Sequence, residues 1–102
     1  TQEQMDAAGI RSSSEPYAAL LAERIRDQHG ADWGLAETGA AGPTGNRYGD
    51  AAGHTCIAVD GPARSVTTLE TGDDDRADNM VRFAAAAMAE FINTLDANPM
   101  VA

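Results

Sequence analysis

An α/β domain is the fold class this sequence predicts, and three features predict it. Two long stretches, 11–30 and 73–97, repeat apolar residues at helical spacing. Between them lie three short apolar runs bounded by Gly, Pro, Asn and Asp, as strands between turns are. The last two runs are joined by a turn short enough to make them an antiparallel hairpin.

The elements follow in chain order. Thr1 to Ile10 reads as a loop or short helix ending near Gly9. "RSSSEPYAALLAERIRDQHG" is a helix: Ser12 and Glu15 have capping-box spacing, and Pro16 suits a first turn. Tyr17, Leu20, Leu21 and Ile25 give it one apolar face, with Gly30 as its stop. "DWGLAET", Asp32 to Thr38, reads as a strand weakened by Gly34. Gly39 to Gly53 is a connection of a length that is uncommon in compact domains and often functional. His54–Val59 and Arg64–Glu70 are the hairpin strands, with Asp60, Gly61 and Pro62 in the turn. The second helix opens on Asp73 to Asp75, where the dipole favours negative charge, and ends at Asn98 and Pro99. Its apolar face is Met80, Phe83, Ala84, Ala87, Met88, Phe91, Ile92 and Leu95.

Composition removes several function classes. The formal charge is −9, which opposes binding to a polyanion, since such affinity comes from Lys and Arg neutralising phosphates. All basic residues are arginines: 11, 24, 26, 47, 64, 76 and 82. Without lysine, neither a Schiff base nor a Ser–Lys dyad can be built from this chain alone. The lone Cys56 lies in an apolar run and reads as a buried, inert thiol. The absence of a cysteine framework and of a signal pattern predicts a cytoplasmic setting. The longest apolar run, Phe83 to Ala89, is too short to span a bilayer.

The loop Thr38-Gly39-Ala40-Ala41-Gly42-Pro43-Thr44-Gly45-Asn46 is the chief chemical candidate. It offers backbone N–H groups, small side chains and the hydroxyls of Thr38 and Thr44 to a polar ligand. It lacks the Gly-Lys-Ser/Thr ending of a nucleotide-binding P-loop. A strand rather than a helix follows it, so it is not a dinucleotide fingerprint. On composition alone it reads as a structural loop slightly before a site. Arg47 and Tyr48 add a phosphate fork and a stacking ring. Asp73, Asp74, Asp75 and Asp78 lack the spacing of a cation loop and read as helix-start charge, so no metal site is expected. Arg76 sits where the dipole disfavours a cation, either for an ion pair with the aspartates or for an anionic ligand. His29 closes a helix. His54 reads as structural before general base, and Thr1 as a chain boundary before an N-terminal nucleophile.

Together, "AETGAAGPTGN", "GHTCIAVDGP" and "LETGDDDRADNMVRFAAAAMAEFI" resemble the CinA C-terminal domain family, which includes nicotinamide-mononucleotide amidohydrolases. Thr38, Gly39, Ala41, Gly42, Pro43 and Gly45 match its T-G-x-A-G-P-x-G loop. Gly53, Ala58, Val59 and Gly61 match the strand after it, and Gly72 and Arg76 resemble its G-D-R turn. The resemblance covers nearly the whole chain. It implies a three-layer αβα fold, here partial: helix, strand, long loop, antiparallel hairpin and C-terminal helix. It further implies catalytic-site roles for Thr38 and Arg76. Gly39, Ala40, Ala41, Gly42, Pro43, Thr44, Gly45, Asn46 and Tyr48 become the substrate-binding wall, without a cofactor.

The departures are as specific. The family's E-S-x-T-G-G motif, which carries its proposed nucleophilic serine, does not occur here and is expected upstream of residue 1. Family lysines fall at Met5 and Asp50, and a proline at Ala51. Residues 1–102 are therefore expected to be one CinA C-terminal-like domain, incomplete at its N-terminus. The expected function is that of part of an amidohydrolase acting on nicotinamide mononucleotide or a related amide. The rival is a catalytically silent ligand-binding or partner module, and the blandest reading is an α/β fragment with no ligand. The expected partners are a pyridine-nucleotide-like small molecule and a second copy or the missing half of the domain. Neither nucleic acid nor membrane is expected.

Overall fold

The structure, a computed structural model, describes residues 9–98. Most of the expected N-terminal segment, including Thr1 and Met5, lies outside the described residues. The elements are α1 (Glu15–His29), β1 (Gly34–Ala40), β2 (His54–Asp60), β3 (Ser65–Glu70) and α2 (Arg76–Ala97). The strands form one antiparallel sheet in the order β1-β2-β3. In register, Thr38 faces Cys56 across β1–β2, and Cys56 faces Thr68 across β2–β3.

Strand β2 is buried along its whole length. Side chains alternate across a strand, so burial at every position means that both faces are covered. On one face, Cys56 and Ala58 pack with Ala18 and Ala22 of α1, flanked by Ala36. On the other, Phe83 and Ala87 of α2 sit beside Glu37. Helix, sheet and helix are thus three layers. Trp33, just before β1, meets Phe91 of α2 edge to face, with ring centroids 6.0 Å apart.

The helix α1 differs from expectation in two respects. Its cap is Ser14, not Ser12: the Ser14 hydroxyl accepts the Tyr17 N–H at 3.3 Å. A cap of this kind stabilises by about 1 kcal/mol. Its inward face is centred on Ala18 and Ala22 rather than on Tyr17, Leu20, Leu21 and Ile25, and Ile25 is exposed. The cause is close approach. A Cβ on Gly34 would lie 2.1 Å from the Ala22 carbonyl oxygen, so the helix lies directly on the β1 backbone. Only alanines fit there, and the larger residues are displaced to the flanks. Gly34, expected to weaken the strand, is what lets the layers meet.

Strand β1 runs two residues further than predicted, so Gly39 and Ala40 belong to the strand and not to the loop. Asp60 ends β2 instead of opening the turn. It is buried and paired with Arg26 of α1 at 3.3 Å and with Arg64 at 2.7 Å. The face of α2 is also rotated from expectation. Asn79, Phe83, Ala87 and Thr94 are buried, whereas Met80, Met88 and Ile92 are exposed with Val81. Among the described residues, no helix is long and apolar enough to cross a membrane.

Candidate functional site

The loop after β1 is held at both ends before any ligand is considered. Gly53 N–H donates to the Ala40 carbonyl at 2.8 Å, and Thr71 N–H donates to the Gly53 carbonyl at 3.0 Å. Gly42 has φ 113°, a region L side chains avoid, and precedes a cis bond to Pro43. A Cβ at Gly42 would also lie 2.4 Å from the Asp74 carbonyl oxygen. This glycine therefore serves close packing of the loop against the start of α2.

Two residues of α2 fix the loop backbone. Asn79 is fully buried. Its amide nitrogen donates to the carbonyls of Ala41 and Asp73, each at 2.8 Å, and its amide oxygen accepts the Thr71 hydroxyl at 2.7 Å. Arg76 donates to the Gly42 carbonyl at 3.2 Å. Of the two sequence alternatives for Arg76, the aspartate pair does not form among the described residues, where Arg76 bonds this carbonyl. The aspartates act as expected for a helix start. Asp75 caps α2 by accepting the Asp78 N–H, and Asp73 accepts the Asp75 N–H.

The far half of the loop closes on itself. Asn46 accepts the N–H groups of Tyr48 and Asp50 through Oδ1 and donates through Nδ2 to Asp50 at 2.8 Å. Its side chain is an internal clamp, and the N–H groups of Tyr48 and Asp50 are spent on it. Arg11 donates to Asp50 at 2.8 Å and lies 4.9 Å from the Tyr48 ring centroid, and Arg47 lies 5.0 Å from the same centroid. Hydrogen bonds from Ser12 and Arg47 lower the Tyr48 phenol below its usual pKa. The Asn46 and Arg11 hydrogen bonds likewise hold the Asp50 carboxyl below the usual range, against burial. Pro43, Thr44 and Gly45 form the exposed tip.

Thr38 is half-buried on the α1 face of the sheet, and its hydroxyl accepts the Ser13 N–H at 3.1 Å. Thr38 and Arg76 are thus committed to different partners, one on the turn before α1 and one on the loop. His54 is buried, with Nδ1 2.5 Å from Glu70 and Nε2 2.7 Å from the Ser13 carbonyl. The structural reading of this histidine holds. Cys56 is buried, and burial pushes its thiol pKa up, as suits an inert thiol.

Sequence reasoning missed Asn79, Ser13 and the Arg11–Asp50 pair. Asn79 had a signal: it stands at i−4 from Phe83 and at i−8 from Ala87, on the buried stripe. A polar residue there needs partners, and the nearby loop carbonyls supply them. Nothing local marked Arg11 and Asp50, which are far apart in sequence.

A three-layer αβα unit with a Gly-Pro loop clamped between a strand end and a helix start defines the class of this protein. The family model of the CinA C-terminal domain matches residues 2–95, and the chain belongs to that family. A CinA-like protein of Anaeromyxobacter dehalogenans (strain 2CP-1 / ATCC BAA-258) is 39% identical over 74 residues, 71% of this chain and 18% of that protein. A CinA-superfamily crystal structure from Enterobacter cloacae aligns with a TM-score of 0.75 at 31% identity, covering 81% of this chain and 49% of that one. One from Escherichia coli aligns with a TM-score of 0.82 at 23% identity over 93% of this chain and 54% of that one, a likeness of fold. The chain therefore spans about half the length of these two solved structures and under a fifth of that curated relative.

Proposed function

We propose that the loop 41–46 is one wall of a site for a small amide substrate of the nicotinamide-mononucleotide type. On this reading the chain is part of a cytoplasmic CinA-like amidohydrolase whose nucleophile comes from outside these 102 residues. The observation that carries the reading is the fixed direction of the loop peptides. The Ala41 and Gly42 carbonyls are tied to Asn79 and Arg76. In a trans peptide, N–H and C=O point oppositely, so the Gly42 N–H is turned away from Asn79 as a preset donor. Preset donors stabilise a developing oxyanion without reorganising during the reaction, which is what attack on a carboxamide asks of a wall. Arg76 acts here by positioning the Gly42 carbonyl, and Thr38 through the proton its hydroxyl still carries.

Amide hydrolysis adds water across the C–N bond and releases ammonia. The test is ammonia release from nicotinamide mononucleotide by the full-length protein, including the segment expected to carry the nucleophile, with calorimetric titration of the same compound. Heat of binding together with ammonia release supports the amidohydrolase reading. A folded protein giving neither sinks the site.

A second reading, a catalytically silent binding or partner module, is favoured by two facts. The chain has no lysine, and one acceptor position of the Thr38 hydroxyl is already filled by Ser13. Binding without ammonia release selects it.

The same reading includes a partner. Met80, Met88 and Ile92 are each about half exposed along one stripe of α2, beside a 160 Å³ cavity lined by Glu37, Phe83 and Ala87. β1 is also an edge strand of the sheet. Half of the Enterobacter cloacae structure lies beyond the part this chain matches. The occupant proposed for this stripe and edge is a complementing segment of the CinA fold. Light scattering after size exclusion tests whether the 102-residue chain is self-sufficient. Association or poor solubility fits the proposal, and a stable monomer contradicts it.

A further inference from the structure

Ser13 is the one non-glycine with positive φ among the described residues, at 56°. That conformation is strained for an L residue and persists where surrounding bonds hold it. Both of its peptide groups are held. Its N–H donates to the Thr38 hydroxyl at 3.1 Å, and its carbonyl faces His54 Nε2 at 2.7 Å. A buried imidazole therefore braces the turn that occupies Thr38.

Three acceptors converge on that ring: Glu70 on Nδ1 at 2.5 Å, and the Ser13 carbonyl at 2.7 Å and Asp50 at 3.5 Å on Nε2. The other groups nearby are Arg11, paired with Asp50, and the buried Cys56 thiol, 3.7 Å from Nε2. Glu15 of α1 accepts from Thr68, which in turn contacts Cys56. Only a doubly protonated ring can donate to both sides. We propose that the His54 imidazolium is a latch that holds the Ser13 turn on Thr38, and that loss of its proton releases the turn.

The direction of release follows from bond strength. A neutral ring keeps one N–H. A bond to the Glu70 carboxylate is charge-assisted and roughly twice as strong as one to a carbonyl. The remaining proton stays on Nδ1, and the Nε2 lone pair then faces the Ser13 carbonyl across 2.7 Å. The His54 contact to Ser13 is the one that fails, leaving the Ser13 carbonyl with the weak Cys56 thiol donor at 3.6 Å, and the strained turn loses its main brace. Burial alone pushes the His54 pKa down. The Glu70 and Ser13 hydrogen bonds and the Asp50 and Glu70 charges together outweigh it, so the net direction is up. The latch is closed on the acid side of the raised His54 pKa and opens as pH rises through it. This holds whatever ligand the loop takes. A consequence for ligand binding rests on the site reading above.

The test is NMR of the full 102-residue chain without ligand. Imidazole ¹⁵N shifts read the charge and tautomer of His54, and amide exchange, normalised for intrinsic rates, reads the Ser13 N–H. The expected result is a midpoint above about 6.5, the unperturbed histidine value. The neutral form should carry its proton on Nδ1, and Ser13 protection should fall in the same pH step. In Glu70→Gln the midpoint moves down. The last proton is no longer held by a carboxylate, so Ser13 protection becomes insensitive to the His54 titration. Glu70 is half exposed, so this variant is expected to fold where His54→Gln fails. A neutral Nε2–H tautomer in the unmodified protein, or Ser13 protection that ignores the titration, overturns the latch. A latch confirmed with no binding of nicotinamide mononucleotide would refute only the site reading.

Discussion

Replacing Asn79 by alanine should show how much of the loop's shape depends on α2. The change removes two donors from Ala41 O and Asp73 O and one acceptor from the Thr71 hydroxyl. A buried polar group left without a partner costs about 1–3 kcal/mol. Asp73 and Thr71 are half-buried and can turn to water, whereas Ala41 is buried. Counting Ala41 O in full and the other two at a fraction gives about 3 kcal/mol. Stability for a domain of this size is on the order of 5–15 kcal/mol, so the variant should fold but melt early. At about 4–8 °C per kcal/mol, the melting midpoint should fall by roughly 12–24 °C. Thermal unfolding followed by far-UV circular dichroism reads it. Asn79→Asp should be worse, because a carboxylate would face the two carbonyls. A drop below about 4 °C for Asn79→Ala would refute the idea that this side chain carries the loop.

Other expectations follow from the same geometry. Gly34→Ala should push α1 off the sheet, since its Cβ would stand 2.1 Å from Ala22 O, and should lower the urea midpoint more than Ala31→Ser at an exposed position nearby. Ser14→Ala should cost about 1 kcal/mol through loss of the α1 cap, whereas Ser12→Ala should leave stability near that of the unmodified protein. For pH, His54 has its folded pKa raised, so its contribution is whole below about 6.5 and disappears as pH rises through the folded value. Asp50 has its folded pKa lowered, so its contribution is whole above about 3.9 and disappears as pH falls through the folded value. Urea midpoints at several pH values should therefore be best between these limits, and Glu70→Gln should flatten the alkaline side.

The order of elements was legible because it rests on local signals. Apolar periodicity marked both helices, and the Asp-Gly-Pro turn marked the hairpin. What the sequence hid was how the elements meet. Ala18 and Ala22 look like weaker core residues than Leu20 and Leu21, but Gly34 removes the space a leucine would need. The apolar face of α2 was drawn too wide, because Met80 and Ile92 satisfy the helical period yet stay about half exposed. At the site, the loop's position after β1 was readable from its glycines. Its partners were not: Asn79, Arg11 and Ser13 reach it from distant parts of the chain. The family resemblance places Asn46 in the substrate wall, and the structure adds that its side chain serves Tyr48 and Asp50. A polar side chain in a loop satisfies its own backbone first when the turn allows it.

The central claim is that the loop 41–46 is a ligand wall whose preset donor is the Gly42 N–H. Its most direct measurement is the change in amide shifts when ¹⁵N-labelled protein is titrated with nicotinamide mononucleotide. The account predicts saturable shifts at Gly42, Thr44 and Gly45 that are lost in Asn79→Ala under conditions where that variant is still folded. Shifts confined to the polar cavity lined by Arg64, Asn93 and Asn98, or none at all, would contradict it.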